Sequence, residues 1–243
     1  MKKILLAAAS AAVVASSGAF AQAPSGEWKG AVSLGASFAQ GVTGPTSTNI
    51  GLSADASRTT TIDKTALYFT TVYGKAAGVT SADNIKGGAR YEWNLSPQAY
   101  AFGSLDLERD GVIDLNLRTA VGLGAGYYFV KSDPLTFTVF AGIGYRNDKY
   151  DNRTDNATEI ILGEESNHKL SDGVSFKQRL VAYPNLTESS NWRAAFDANL
   201  AVALNAGWNL NLTFVDRYNN TVAKGERKNS TTFLIGVGSK FGK

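Results

Sequence analysis

The feature that most constrains this chain is an alternation of period two that recurs along nearly its whole length. In the first run, Trp28, Val32, Leu34 and Phe38 share one parity, while Lys29, Ser33, Gly35 and Ser37 share the other. Successive side chains of a strand point to opposite faces, so such a run folds as a strand with one apolar and one polar face. The rule returns in Ile85, Ala89, Tyr91 and Trp93 against Lys86, Gly88, Arg90 and Glu92. It returns again in Leu115, Leu117, Val121, Leu123 and Tyr127 against Asp114, Asn116, Arg118, Gly122, Gly124 and Gly126. Later runs keep it through Leu135, Phe137, Val139, Ile143 and Tyr145, and through Trp192, Phe196, Leu200, Val202 and Leu204. The last two carry Trp208, Leu210, Leu212 and Phe214, then Phe233, Ile235, Val237 and Phe241.

About twelve such runs are present, starting near residues 27, 47, 62, 81, 98, 112, 135, 157, 173, 191, 207 and 230. Two are weak. In the fifth, Tyr100, Phe102, Asp106 and Glu108 oppose Leu105 and Leu107, so either parity could face inward; the eighth, from Ala157 to Lys169, barely alternates. The spaced Gly122, Gly124 and Gly126 invite comparison with a phosphate-binding loop, which needs a strand-to-helix turn. Nothing helical follows them, and Lys131–Pro134 leads into another alternating run. On the polar parity of a strand, glycine instead permits curvature and leaves room for a side chain from elsewhere, such as Tyr128 or an inward arginine.

The ends and the composition narrow the class. The chain opens with Lys2 and Lys3, an apolar stretch from Ile4 to about Val14, and small residues up to Ala23, the pattern of a secretory signal peptide. The expected organisation is a signal peptide over residues 1–23, cleaved after Ala21 or Ala23, and one domain over residues 24–243. Of the 24 Lys and Arg, two leave with the leader, so basic and acidic residues (21 Asp and Glu) nearly balance. No concentrated basic excess supports a nucleic-acid partner. Cysteine is absent, so no disulfide holds an exported fold together. No stretch beyond the leader approaches the roughly 18 consecutive apolar residues that read as a membrane helix.

Connection lengths then sort into two sets. Those near 60–62, 95–97, 131–134, 170–172 and 205–207 are brief and fall on one side of an up-and-down array; those near 41–47, 76–81, 148–156, 184–190 and 218–229 fall on the other, with a short one near 109–111. An even number of antiparallel strands, brief turns on one side and longer loops on the other describe a transmembrane antiparallel β-barrel of the bacterial outer membrane. Such barrels carry aromatic girdles where the apolar band meets water. Trp28, Trp93, Trp208 and Phe241 fall at strand ends on the short-turn side, and Tyr73, Tyr145 and Trp192 on the loop side. A soluble β-sandwich also alternates but has no reason to sort its aromatics by strand end. Register is tightly set. Turning Lys86 and Arg90 toward lipid would cost about 4 to 8 kcal/mol from one strand, so a one-residue slip is strongly disfavoured.

Four stretches carry a resemblance over nearly all of the mature chain: residues 28–41, Arg90 to Val112, Leu117 to Phe129 and Val174 to Asn185. With them the chain resembles a family of salt-induced outer-membrane proteins classed as a domain of unknown function. Two positions depart from that pattern: Gly41-Val42 stands where Gly-Asn is common, and the chain ends Phe241-Gly242-Lys243 instead of on an aromatic residue. The resemblance implies an outer-membrane address and a role under salt or osmotic stress. Expected partners are outer-membrane lipids and lipopolysaccharide, the barrel-assembly machinery during biogenesis, and small ions or solutes. No cofactor is expected.

The candidate sites are weighed on this scaffold. Lipid hydrolases on it use a serine with a histidine, and the single histidine, His168, has Ser166, Ser171 and Asp172 nearby, close to a short turn. A polar rim histidine is the expected role. Asp148, Asp151 and Asp155 could hold a hard cation, but a solvated acidic loop is the preferred reading. By parity the lumen lining is Lys86, Arg90, Arg118, Arg146, Lys177, Arg179, Arg193 and Arg217, against Glu92, Asp114 and Asp197, with Asp106 and Glu108 joining if the fifth run faces that way. That modest cationic excess predicts a preference for anions in a narrow, non-catalytic channel. The alternatives are a barrel acting through its loops at 148–156 and 218–229, and a lipid hydrolase.

Overall fold

Each alternating run becomes one strand. The structure, a computed structural model, describes residues 26–40, 47–76, 78–188, 190–205, 207–221 and 228–242. The expected signal peptide and the Gly41-Val42 departure lie outside the described residues, as do residues 222–227 of the expected loop at 218–229. The strands are β1 (Trp28–Gln40), β2 (Ser47–Thr59), β3 (Asp63–Ala76), β4 (Val79–Asn94), β5 (Ala99–Asp110) and β6 (Leu115–Lys131). They continue with β7 (Leu135–Tyr150), β8 (Thr154–Ser171), β9 (Val174–Pro184), β10 (Trp192–Asn205), β11 (Trp208–Asn219) and β12 (Asn229–Phe241). All neighbours are antiparallel, and β1 pairs with β12 from Gly30↔Phe241 to Gln40↔Thr231, so the sheet closes as a twelve-stranded barrel. No helix of the described residues is long and apolar enough to cross a membrane.

The two faces sort as the alternation requires. Leu34, Ile50, Leu123, Phe129 and Ile143 are more than half exposed on the outside, whereas Asn84, Glu108, Asp148, Glu159, Asp197 and Asn199 are buried inside. An apolar exterior around a polar interior is the inverse of a soluble protein and the arrangement of a barrel solvated by lipid. Trp28, Tyr73, Trp93, Tyr145, Trp192, Trp208 and Phe241 are all exposed.

Some local alternatives are resolved and some expectations change. The fifth run is resolved: Tyr100, Phe102, Glu108 and Asp110 are buried while Leu105 and Leu107 are exposed, so Asp106 and Glu108 face the lumen. Asp114 does not line the lumen. It lies in the turn before β6, exposed and with a left-handed φ of 56°. Leu115 also inverts: register shifts at Glu108/Asp110 and Leu115/Leu117 turn it inward to 1% exposure, while Leu117 stays outside. An inserted residue of this kind flips facing without changing the sequence pattern on either side. Finally, β7 and β8 extend far enough to leave only residues 151–153 between them, and β3 and β4 leave only 77–78, so these two loops are shorter than connection counting suggests.

Candidate functional site in the barrel lumen

Glycines on the inner wall decide where aromatic rings lie. Gly124 stands directly across from Phe102, and a Cβ on it would meet that ring at 2.6 Å. Gly126 stands across from Tyr100, and the three atoms nearest its missing Cβ all belong to the Tyr100 side chain. The same relation joins Gly163 to Phe140 on β7 and Gly88 to Tyr68 on β3. Each ring therefore lies flat over the glycine opposite, which is how a sheet covers backbone that has no side chain of its own. The occupants of the space beside the β6 glycines are thus Tyr100 and Phe102. Tyr128 packs at the edge of the same cluster, which joins Phe140, Ile161 and Val181.

Arginines stack on these rings and bind carboxylates at the same time. The Arg90 guanidinium sits 3.9 Å from the Phe102 ring and 5.0 Å from Phe140, while its Nε donates to Glu92 at 2.7 Å. Toward the loop side an alternating series of charges crosses the wall from β5 to β10. Arg118 donates from Nη1 to Glu108 at 3.2 Å and, through Nε and Nη2, to both oxygens of Asp148 at 2.7 and 2.9 Å. Arg146 binds Asp148 and, at 3.4 Å, Glu159. Arg193 completes the series with donations to Glu159 at 3.0 and 2.7 Å while lying 3.9 Å from the Tyr183 ring. On neighbouring strands Arg217 pairs with Asp197 at 2.5 Å, and Lys177 and Arg179 approach Glu165 at 3.2 and 3.8 Å. Tyr68 donates to Asp106, and Lys86 Nζ lies 5.9 Å from the Tyr68 ring.

The parity reading of the sequence brought these cations to one face but missed their counter-charges. Asp55, Asp110, Asp148, Glu159 and Glu165 also face the lumen, as does Lys64, which approaches Glu92 at 3.9 Å. The expected cationic excess is therefore compensated. Asp110 and Asp148 lie close to turns and Glu159 and Glu165 sit in the weak eighth run, so parity alone gave little signal for these four. Opposed walls also come near each other. Val72 and Ala82 on β3 and β4 pack in one apolar cluster with Val215 and Leu234 on β11 and β12. Such contacts across the lumen make it narrow.

Along the other side of the lumen, β1, β2, β10, β11 and β12 present small side chains. A cavity of about 40 Å³ is lined there by Ser33, Ser53, Asp55, Thr70, Asn199 and Thr213, with glycines between them. Val72 and Leu234 edge it and belong to an apolar contact with Ala82 and Val215 that bridges β3 and β4 to β11 and β12. Small residues such as Gly35 and Gly51 on the intervening β1 and β2 let those side chains meet.

Other candidate residues separate. His168 and Ser166 share the outward face of β8, with Nε2 and Oγ 3.1 Å apart, but Ser166 is only 3% exposed and His168 packs against the Phe176 ring. Asp148 turns inward to its arginines, Asp151 accepts from Asn116 at 2.8 Å, and Asp155 accepts from Arg153 at 2.8 Å. The three carboxylates do not converge on one point, and no group of three or more metal-ligating side chains forms among the described residues.

Closed antiparallel topology, an apolar exterior and a charged interior define the chain as a membrane-spanning β-barrel. It belongs to the family described as protein of unknown function, DUF481, whose model matches residues 32–241. No curated protein matches the chain in sequence. Among solved structures, the NanC porin is similar with a TM-score of 0.59 at 9% identity, over 86% of this chain and 100% of that one. The translocator domain of the autotransporter NalP from Neisseria meningitidis is similar with a TM-score of 0.51 at 15% identity, over 88% of each chain. The KdgM porin also reaches 0.51, at 10% identity over 87% of this chain and 99% of that one. At such identities the likeness is one of fold.

Proposed function

We propose that this chain is an outer-membrane barrel acting as a narrow passive pore for small ions and solutes. The observation that carries this reading is the division of the lumen. One wall is filled by flat rings and neutralised ion pairs, and the other is paved with Gly, Ser, Thr and Asn beside unfilled space. A wall that only needed packing would fill both sides with large side chains, as small barrels do. That two structures of the same fold are described as porins supports the reading. Export through the leader of residues 1–23, insertion by the barrel-assembly machinery and contact with outer-membrane lipid and lipopolysaccharide follow from it. The stress role implied by the family resemblance fits a pore that admits small ions and excludes larger solutes.

The reading contains no catalytic step. The Ser166 hydroxyl is covered, so it offers no attacking oxygen to a lipid ester, and His168 holds a hydrogen bond at the barrel surface. Swelling of liposomes that contain the refolded barrel tests the proposal. Entry of small solutes with a sharp cutoff in size is expected, unchanged by His168→Ala. Absence of swelling with correctly folded barrel overturns the pore, and a lipid-hydrolysing activity lost in His168→Ala overturns its non-catalytic part.

A further inference from the structure

We propose that the lumen contains a binding site for one monovalent cation, sodium or potassium, held by Asp55 and Thr70. The site is the cavity on the small-residue wall, and its lining contains no lysine or arginine. Almost every other inward carboxylate described above has a cation or a hydrogen-bond donor against it. Asp55 differs: its buried Oδ2 has no hydrogen-bond partner among the described residues, and neither has the Oγ1 of Thr70, whose side chain is 1% exposed. Both residues line the cavity. Lys177, on β9 across the lumen, pairs with Glu165 at 3.2 Å.

The chemistry of the remaining lining points to a hard cation. Hard cations take oxygen ligands, and the cavity offers a carboxylate with hydroxyls and amide groups. Asn199 directs its N–H to Thr213 Oγ1 at 2.7 Å, which leaves its carbonyl end as the acceptor. An anion would meet the Asp55 carboxylate with no cation in the lining to offset it. A divalent ion draws several carboxylates in sites of known type, whereas this cavity supplies one, which matches one positive charge. Its volume of about 40 Å³ suits a small ion with little accompanying water. The proposal rests on the pore reading only in requiring that ions reach the lumen, so the test measures binding and not flux.

The refolded barrel in detergent is unfolded by heat in sodium chloride, potassium chloride and N-methyl-D-glucamine chloride at matched ionic strength. Binding to the folded state alone raises the midpoint in proportion to occupancy. A saturable rise in sodium or potassium is expected, with the rise lost in Asp55→Asn and weakened in Thr70→Val. Equal midpoints in all three salts overturn the site, and so does a cation-dependent rise that survives in Asp55→Asn. Should Asp55→Asn not refold, crystals of the unaltered barrel soaked in thallium(I) decide the matter. An anomalous peak between Asp55 and Thr70 supports the site, and an empty map there overturns it. A barrel that shows the rise but passes no solute keeps the cation site and loses the pore; one that conducts without the rise does the reverse.

Discussion

The glycines of β6 illustrate what a residue's neighbours add to its sequence context. Their inward parity is legible from the alternation of Val121, Leu123 and Tyr127, and so is the conclusion that they leave space. What fills that space is not legible, because Phe102 and Tyr100 reach it through cross-strand register, a property of two strands. Asp114 and Leu115 fail for a related reason, a register shift at the start of β6 that parity counting passes over. Gly126 is a position where the nearest obstacle to a side chain is a ring. Its alanine variant forces the Tyr100 ring from its place, and overpacking of this kind costs about 1–3 kcal/mol. Urea unfolding of the refolded barrel is expected to show that loss, and adding Tyr100→Ala to Gly126→Ala is expected to relieve much of the strain. Gly124→Ala, whose Cβ also meets the backbone oxygen of Ala141, is expected to gain little from Phe102→Ala. Equal rescue at the two positions contradicts the assignment of ring against backbone.

At the scale of the element, β8 and β9 are where sequence and structure read most differently. The eighth run hardly alternates because its outward positions include Glu164, Ser166 and His168 where other strands place Leu, Val or Phe. The strand is nevertheless the longest in the barrel at 18 residues, and β9 is the shortest at 11. Even strand count and connection length indicated it where hydropathy could not. Because β9 stops at Pro184, the upper part of β8 lacks a continuous partner beyond the bridge between Glu159 and Asn185. Arg193 reaches from β10 across Tyr183 to Glu159 and ties the wall at that gap. Removing one partner of a buried ion pair strands the other charge, at about 3–5 kcal/mol. Glu159→Ala leaves Arg146 and Arg193 without this carboxylate, so the urea midpoint is expected to fall by an amount in that range. A change within about 0.5 kcal/mol, as at ordinary surface positions, contradicts the role given to the pair.

At the scale of the whole molecule, the fold was legible nearly throughout and the lumen only in part. No strand starts more than three residues from the place the alternation gives it, since one face meets lipid and the other does not. Lumen charge depends on every inward residue at once, and a few acids missed in weak runs turned a balanced interior into a seemingly cationic one. Diameter is further from the sequence still, because it depends on how far side chains of opposed strands reach. The structure shows large rings and ion pairs on the β4–β9 side and small side chains around a cavity of about 40 Å³ along β1, β2 and β10–β12. Twelve strands fall between barrels filled by side chains and the sixteen-stranded porins with an aqueous channel, so the lining decides.

Single-channel recording of the refolded barrel in a planar bilayer reads the proposed pore itself. Discrete, small and stable current steps are expected, with no anion preference in the reversal potential across a potassium chloride gradient. Folded barrel that inserts and gives no steps, or steps as large as those of open sixteen-stranded porins, contradicts the narrow pore.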